Sequence, residues 1–209
     1  MQAIGNAVGH AHEDDAMRAM FVARKEVFID LLGWDVPVLD GRFEVDQFDD
    51  MNARYLILLD EDGGHCASAR LLPTTRPHIL DTLYPGLVEG ELPCGDNVLE
   101  ITRFCLDRHQ SAVERRQARN RLVSAIADFA IANGITTYTG VAEFGWLQQI
   151  LSFGWRCRLL GLPSQIGSQT LGALRIDIDD ETTARLTSAG IYDVDIAAKP
   201  RTFDAQVAA

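Results

Sequence analysis

Several features are missing from this chain, and each absence removes a class of protein. No run of about eighteen uncharged apolar residues occurs along its 209 residues, so the sequence offers no membrane-spanning helix. The opening Met1-Gln2-Ala3-Ile4-Gly5-Asn6 has neither the basic start nor the apolar core of a secretion signal. Positive charge is scarce: 19 Lys and Arg stand against 30 Asp and Glu, a formal net charge of −11. A duplex-binding protein needs basic surface to displace counterions, so nucleic acid is not an expected partner. Cysteine is sparse too. Cys66, Cys94, Cys105 and Cys157 form no C-x-x-C pair, which points to free thiols in a reducing compartment. No metal is expected, because the spacings of His65, Cys66, Cys94, Cys105 and His109 match no ligand pattern. There is no internal repeat and no long low-complexity block. What remains is expected to be a soluble, cytoplasmic protein. At 47% hydrophobic it carries enough apolar residues for one well-packed core, so residues 1–209 are read as a single domain, with a small polar tail after Asp195 expected to be mobile.

From Glu13 to Leu32, Met17, Met20, Phe21, Val27, Phe28, Leu31 and Leu32 recur at helical spacing, acids cluster at the start, and Gly33 stops the helix. Arg24 stands where another apolar residue is due, one turn from Phe21 and Phe28. It either snorkels from the helix edge or points its guanidinium into a pocket. Trp34 to Asp50 reads as a long loop broken by Pro37 and Gly41, in which Trp34, Phe43 and Phe48 interleave with acids. Aromatic faces beside carboxylates suit a small organic cation, and the alternative is an acidic turn with its rings tucked into the core.

Arg54 to Asp60 and His65 to Leu72 read as a hairpin about Asp62-Gly63-Gly64, with Arg70 a charge inside the second strand. A short helix is expected from Pro77 to Leu83, then irregular chain from Tyr84 to Gly95. Asn97 to Leu106 is an apolar strand with Glu100 and Arg103 in its middle. A charge there costs several kcal/mol of desolvation unless it is paired or used. Strict alternation sets Glu100, Thr102 and Phe104 on one face and Arg103 on the other; a bulge near Thr102 would bring Glu100 and Arg103 toward one cleft. An amphipathic helix from about Val113 to Asn133 carries Arg115, Arg116, Arg119 and Arg121 at its start and is capped by Gly134. A strand from Ile135 to Val141, a helix from Glu143 to Phe153, and strands Trp155 to Leu160 and Gly172 to Ile178 complete the pattern. The order predicts an α/β three-layer αβα sandwich with a mixed central sheet.

Five blocks in this order, Arg24-x-x-x-Phe28, Leu32-Gly33-Trp34, Glu44-x-Asp46-x-Phe48-Asp49, Arg70-Leu71-Leu72-Pro73-Thr74 and Glu100-x-x-Arg103-Phe104, resemble the signature of LuxI-type acyl-homoserine lactone synthases, the autoinducer synthases of quorum sensing. The match spans about Arg24 to Phe104, with a looser continuation to Gly154. Tyr84 stands where the family usually has Phe, and Thr102 where it more often has Ser. The resemblance implies a fold similar to the N-acetyltransferases (GNAT-like). It also implies transfer of an acyl group from a thioester to the amine of S-adenosylmethionine, then lactonisation with release of methylthioadenosine. S-adenosylmethionine is a substrate; no prosthetic group is implied.

On that resemblance, Arg24, Phe28, Trp34, Asp46, Asp49, Arg70, Arg103 and Phe104 are the expected S-adenosylmethionine residues. Glu100 is the expected general base with Asp46 second, and Arg103 braces the acids. Backbone N–H groups between Thr102 and Phe104 are expected to hold the oxyanion. The acyl chain is expected between the sheet and the helix that carries Trp146, Leu147, Ile150 and Phe153, lined also by Thr102, Val141 and Ala142. The same stripe is what any core helix shows. Acyl carrier protein is the expected donor, received by the Arg115 to Arg121 cluster or by Arg156 with Arg158; some family members use acyl-CoA. A GNAT-type N-acetyltransferase is the rival enzyme. Its glycine-rich diphosphate turn has no counterpart in Asp107-Arg108-His109-Gln110-Ser111-Ala112. A non-catalytic domain binding S-adenosylmethionine or an acyl carrier is the rival of another class.

Overall fold

The computed structural model describes residues 15–192 and the backbone of residues 201–204. Helix α1 covers 15–24 and continues as a π-helical segment, Lys25–Leu31. This departs from the regular helix expected to Leu32. The wider turn is closed by Leu32 N–H on Val27 C=O at 3.0 Å and Trp34 N–H on Phe28 C=O at 2.8 Å. Short π segments are uncommon and concentrate at functional sites. The Trp34 to Asp50 stretch is not all loop. Strands β1 (Val38–Leu39) and β2 (Phe43–Glu44) pair antiparallel across a turn in which Asp40 and Gly41 have φ of 52° and 66°. Asp-Gly is the dipeptide that such left-handed turns favour, and the expectation of plain loop overlooked it.

The remaining elements are β3 (Arg54–Leu59), β4 (His65–Pro73), α2 (Ile79–Thr82), β5 (Val98–Leu106), α3 (Ala112–Asn133), β6 (Thr137–Glu143), α4 (Phe144–Leu151), β7 (Arg156–Leu159), β8 (Ser164–Ile166), β9 (Gln169–Asp177), α5 (Thr182–Ser188) and β10 (Arg201–Asp204). A single 3₁₀ turn, Pro85–Leu87, interrupts the stretch expected to be irregular. Strand β8 and helix α5 were not anticipated. Nor was β10, which pairs antiparallel with β3 within the expected mobile tail. Residues 196–200 and 205–209 of that tail, and the first residues of the expected first helix, lie outside the described residues.

Contacts divide the chain into two units: Met1–Ala69, Arg103–Leu122 and Ala197–Ala209, and then Arg70–Thr102 with Val123–Ile196. Strands β4 and β5 and helix α3 run from one into the other. In the first unit the strand order is β10-β3-β4-β5. In the second it is β4-β5-β6-β9-β7 with β8 on β9, where β5 runs parallel to β6 and β9 antiparallel to β6, β7 and β8. The sheet is therefore mixed. In the second unit it is covered on both faces. Tyr138 of β6 donates its hydroxyl to Ile126 C=O of α3 at 3.0 Å, while Val141 packs with Leu80, Leu87, Leu160, Leu171 and Ala173 on the other side. Odd and even residues of one strand point to opposite faces, so these contacts define three layers. All of Leu122–Ala127 is buried. Full burial of a Leu or Ile such as Leu122 or Ile126 contributes about 1.5–3 kcal/mol.

Candidate active site

In the first unit the second half of α1, the β1–β2 hairpin and the far half of β5 assemble a buried ionic cluster. Arg24 is fully buried. Its Nε donates to Glu44 Oε2 at 2.5 Å, and its Nη1 and Nη2 donate to the two oxygens of Asp49, each at 2.8 Å. The guanidinium also lies 5.0 Å from the Phe21 ring centre. The apolar gap in the α1 stripe is thus an arginine held in a planar fork, not one reaching for solvent. Although burial acts in the opposite direction, Asp49, Glu44 and Asp46 hold its pKa above the usual guanidinium range. Glu44, also fully buried, is shared with Arg103, whose Nη2 donates to Glu44 Oε1 at 2.9 Å and to Asp46 Oδ2 at 2.6 Å. Asp49 is further fixed by the Tyr55 hydroxyl at 2.8 Å and the Asp46 N–H at 2.8 Å.

Aromatic rings roof this cluster. Phe28 and Trp34 stack with centroids 4.7 Å apart and planes at 17°, and Arg103 lies 5.7 Å from the Phe28 ring and 5.8 Å from the Trp34 ring. The π-helical turn makes this stack, because Trp34 N–H returns to Phe28 C=O. Phe28 is seated on Ala23, Val27 and the buried Cys105, whose thiol burial pushes up to about 12. Trp34 Nε1 is buried without a protein partner. Arg103 takes a left-handed backbone, φ 49°, in the middle of β5. Bulky residues seldom adopt this conformation, at a cost of about 1–3 kcal/mol. It interrupts the pleat next to Thr102, where the sequence left a bulge open. Phe104 is half-buried.

Glu100, Arg70 and Thr102 form a group in the second unit. All three are buried, and Arg70 Nε donates to Thr102 Oγ1 at 2.9 Å. Glu100 accepts Ile79 N–H on Oε2 at 2.8 Å and Leu80 N–H on Oε1 at 2.9 Å. Burial pushes its carboxyl up to about 7, against the two amides and the Arg70 charge, which favour the ionised form. A carboxyl poised near neutrality is suited to proton transfer.

The residues expected at the acyl chain do not share one wall. Val141 and Ala142 are successive on β6 and face opposite ways. Val141 joins the Leu80–Leu87 cluster, while Ala142 pairs in register with Gly172 of β9, against which Leu147 of α4 is packed. Trp146 meets Phe153 edge-on at 5.8 Å, and Ile150 C=O accepts the Trp155 indole N–H at 2.9 Å. The entry to α3 is closed on itself: Ser111 N–H donates to Glu114 at 2.8 Å, and Glu114 N–H returns to Ser111 Oγ at 3.3 Å. No group of three or more His, Cys, Asp or Glu able to hold a metal occurs among the described residues, and no helix there is long and apolar enough to cross a membrane.

The family model described as autoinducer synthase matches residues 10–186. The chain belongs to that family. Autoinducer synthases similar to it include the acyl-homoserine-lactone synthase of Ralstonia nicotianae, 33% identical over 174 residues covering 80% of this chain and 84% of the relative. That of Agrobacterium fabrum is 30% identical over 192 residues, covering 87% and 90%. Among solved structures, the CoA-dependent acyl-homoserine lactone synthase BjaI with MTA superposes with a TM-score of 0.77 at 26% identity over 88% of this chain and 86% of that one. The synthase LasI gives 0.74 at 29% over 87% and 91%. An N-acetyltransferase from Lactobacillus plantarum, 18% identical with a TM-score of 0.50, covers 77% of this chain and 90% of its own and shares the fold. The chain is thus an acyltransferase-family protein; its mixed α/β sheet agrees with the element order, and its GNAT-like scaffold with what the resemblance implied.

Three residues of this autoinducer synthase were not assigned a role from sequence. Glu44 bridges both arginines, Tyr55 secures Asp49, and Phe21 covers Arg24. Glu44 had a signal, since it opens the Glu-x-Asp-x-Phe-Asp block two residues before Asp46. Tyr55 and Phe21 had none beyond apolar spacing.

Proposed function

We propose that this autoinducer synthase transfers an acyl group from an acyl thioester to the amine of S-adenosylmethionine and then closes the lactone with release of methylthioadenosine. The observation that carries the reading is the charge of the Arg24 cluster. Two guanidiniums against three carboxylates, Glu44, Asp46 and Asp49, leave one negative charge under the Phe28–Trp34 stack. S-adenosylmethionine brings a sulfonium, an ammonium and a carboxylate, a net single positive charge that this cluster complements. Phe28, Trp34 and Phe104 are assigned to its apolar and sulfonium parts, Asp46 to its amine, and Arg24, Arg70, Arg103 and Asp49 to its orientation. Support for S-adenosylmethionine as the substrate comes from BjaI, solved with S-adenosylmethionine and isopentyl-CoA at 26% identity and a TM-score of 0.76.

In the first step Glu100 takes a proton from the ammonium, so an N–H bond breaks and its electron pair stays on nitrogen. The amine then attacks the thioester carbonyl; collapse of the tetrahedral intermediate breaks the C–S bond, and the second N–H proton leaves with the sulfur, so that the products are the amide and the free thiol. Arg103 keeps the acids aligned, and the irregular backbone between Thr102 and Phe104 offers N–H groups to the oxyanion. In the second step the substrate carboxylate displaces its own sulfonium carbon, an intramolecular reaction for which positioning suffices. The acyl chain is assigned to the α4 side of the sheet, with Ala142, Trp146, Leu147, Ile150 and Phe153; Val141, which faces the Leu80–Leu87 side, and Thr102, which holds Arg70, are not assigned to it. Acyl carrier protein is the proposed donor. The self-capped entry to α3 favours it, since a CoA diphosphate would meet the Glu114 carboxylate there. The reading of residues 1–209 as one domain rests on β4, β5 and α3, the three elements that the two units share.

Purified protein incubated with S-adenosylmethionine and a panel of acyl-carrier-protein and acyl-CoA thioesters tests this, with products identified by mass. Methylthioadenosine and an N-acyl-homoserine lactone are expected together. Their absence with every donor overturns the assignment.

A further inference from the structure

The turn that holds Glu100 is itself held by a second carboxylate. Three consecutive N–H groups open α2, and they are divided between two acids. His78 N–H donates to Asp81 Oδ1 at 2.7 Å, whereas Ile79 and Leu80 N–H go to the two oxygens of Glu100. The turn is fixed on its other side by Thr82, whose hydroxyl donates to His78 C=O, and by His78 Nδ1, which meets Arg76 C=O at 2.8 Å. That contact makes Nδ1 the protonated nitrogen and leaves Nε2 buried with no partner. Glu100 is fully buried, whereas the Asp81 side chain is 34% exposed, so the inner acid is dry and the outer one is wet.

We propose that Asp81 is a positioning residue for Glu100, acting through the His78 turn to aim two backbone amides at the Glu100 carboxylate and through its own charge to set the pH range in which Glu100 takes up a proton. This rests on the reading of Glu100 as the base. The groups around Glu100 divide by sign. Arg70 on β4 favours its ionised form, while Asp81 on α2 opposes it, and His78 shares the turn with Asp81. The register neighbour on β6 is the uncharged Thr139. Asp81 therefore has two separable effects. As a hydrogen-bond acceptor it orders amides that stabilise the carboxylate, and as an anion it destabilises the same carboxylate. Asn at this position keeps an acceptor oxygen and drops the charge.

The experiment is the pH profile of kcat/KM for S-adenosylmethionine in wild type, Asp81→Asn, Asp81→Glu and Glu100→Gln, each at low and high salt. Asp81→Asn is expected to move the acidic limb that Glu100 supplies to lower pH by about 0.3–0.5 unit at low salt, and by less at high salt because Asp81 is wet. Asp81→Glu, which restores the charge, is expected to return the limb toward its wild-type position. A limb that stays put in Asp81→Asn while Glu100→Gln abolishes it overturns the role of Asp81 and leaves Glu100 as base. A limb and a rate that survive in Glu100→Gln overturn the base reading itself, and the proposal with it.

Discussion

Glu44→Gln is the substitution that tests whether the ionic cluster acts as one unit. Glu44 is fully buried and accepts from Arg24 Nε on one oxygen and from Arg103 Nη2 on the other, at 2.5 and 2.9 Å. Gln keeps one acceptor, but its amide nitrogen must then face a guanidinium, donor against donor. One charge-assisted hydrogen bond is lost outright, worth about 1.5–3 kcal/mol. The guanidinium left short of its counter-charge adds to this, so the total falls in the range of about 3–5 kcal/mol found when a buried ion pair is broken. For a chain of this size that is roughly 6–20 °C in Tm. Urea denaturation at pH 7.5 measures the loss, and titration with S-adenosylmethionine measures whether the site goes with it. The variant cluster has no net charge, so its Kd is expected to rise at least about tenfold, a loss of ~1.4 kcal/mol. A variant within about 1 kcal/mol of wild type that binds the substrate as well would refute the argument that Glu44 couples the two arginines and supplies the complementary charge.

Other outcomes follow from the same geometry. Burial holds the His65 imidazole down to about 4, with Asp107 opposing, so the unfolded chain binds more protons than the folded one between about pH 4 and 6.5 and stability rises with pH there. Glu100 acts in the opposite sense: its folded carboxyl, near 7, binds the proton more tightly than the unfolded one, so its contribution falls as pH rises from about 4.5 to 7. Each amounts to roughly 3 kcal/mol, so denaturation curves should show His65→Asn losing stability relative to wild type as pH rises across the shared window and Glu100→Gln gaining it; parallel curves for all three proteins would show that neither group titrates as described. Ala142→Phe is expected to shorten the acyl chain accepted, read as the product lengths made from a mixed donor panel, whereas a shortening only in Val141→Phe would move the chain to the Leu80–Leu87 side. Gly161→Ala would place a Cβ 2.6 Å from Leu87 C=O and 3.1 Å from Glu89 N–H, with backbone on both sides unable to yield cheaply, and should cost about 1–3 kcal/mol in urea; an unchanged midpoint would mean that this loop relaxes freely.

The charges that conflicted with their surroundings were the legible part of the site. Arg24 in an apolar helical stripe, and Glu100 with Arg103 in an apolar strand, violate binary patterning, and such violations are tolerated where they are used. What the partners are was less legible. Glu44 acts through a contact 59 residues away in sequence, with Arg103, and no local pattern announces such a pairing. The left-handed backbone at Arg103 was invisible because nothing in the composition marks it; had Gly stood there, the turn would have been read. Strands β8 and β10 and helix α5 are three, four and seven residues long, too short for periodicity to rise above its surroundings. The α1 terminus was misread for a related reason. Apolar spacing cannot distinguish an α-helix from one that widens in its last turn.

That widening says something about how this part of the chain tolerates change. A π turn carries roughly one residue more than an α turn, and each residue of an α-helix rotates the next by about 100°. Trp34 reaches Phe28 only because the surplus residue is accommodated within Lys25–Leu31. Removing any one residue there would let the helix relax to α geometry and swing the indole away from its stacking partner, whichever side chain was lost. Over this segment the heritable quantity is a count, the nine residues separating Arg24 from Trp34, more than a spelling. Libraries built from substitutions alone would find the segment permissive outside the buried Val27 and Phe28, and the first single-residue deletion would show where its tolerance ends.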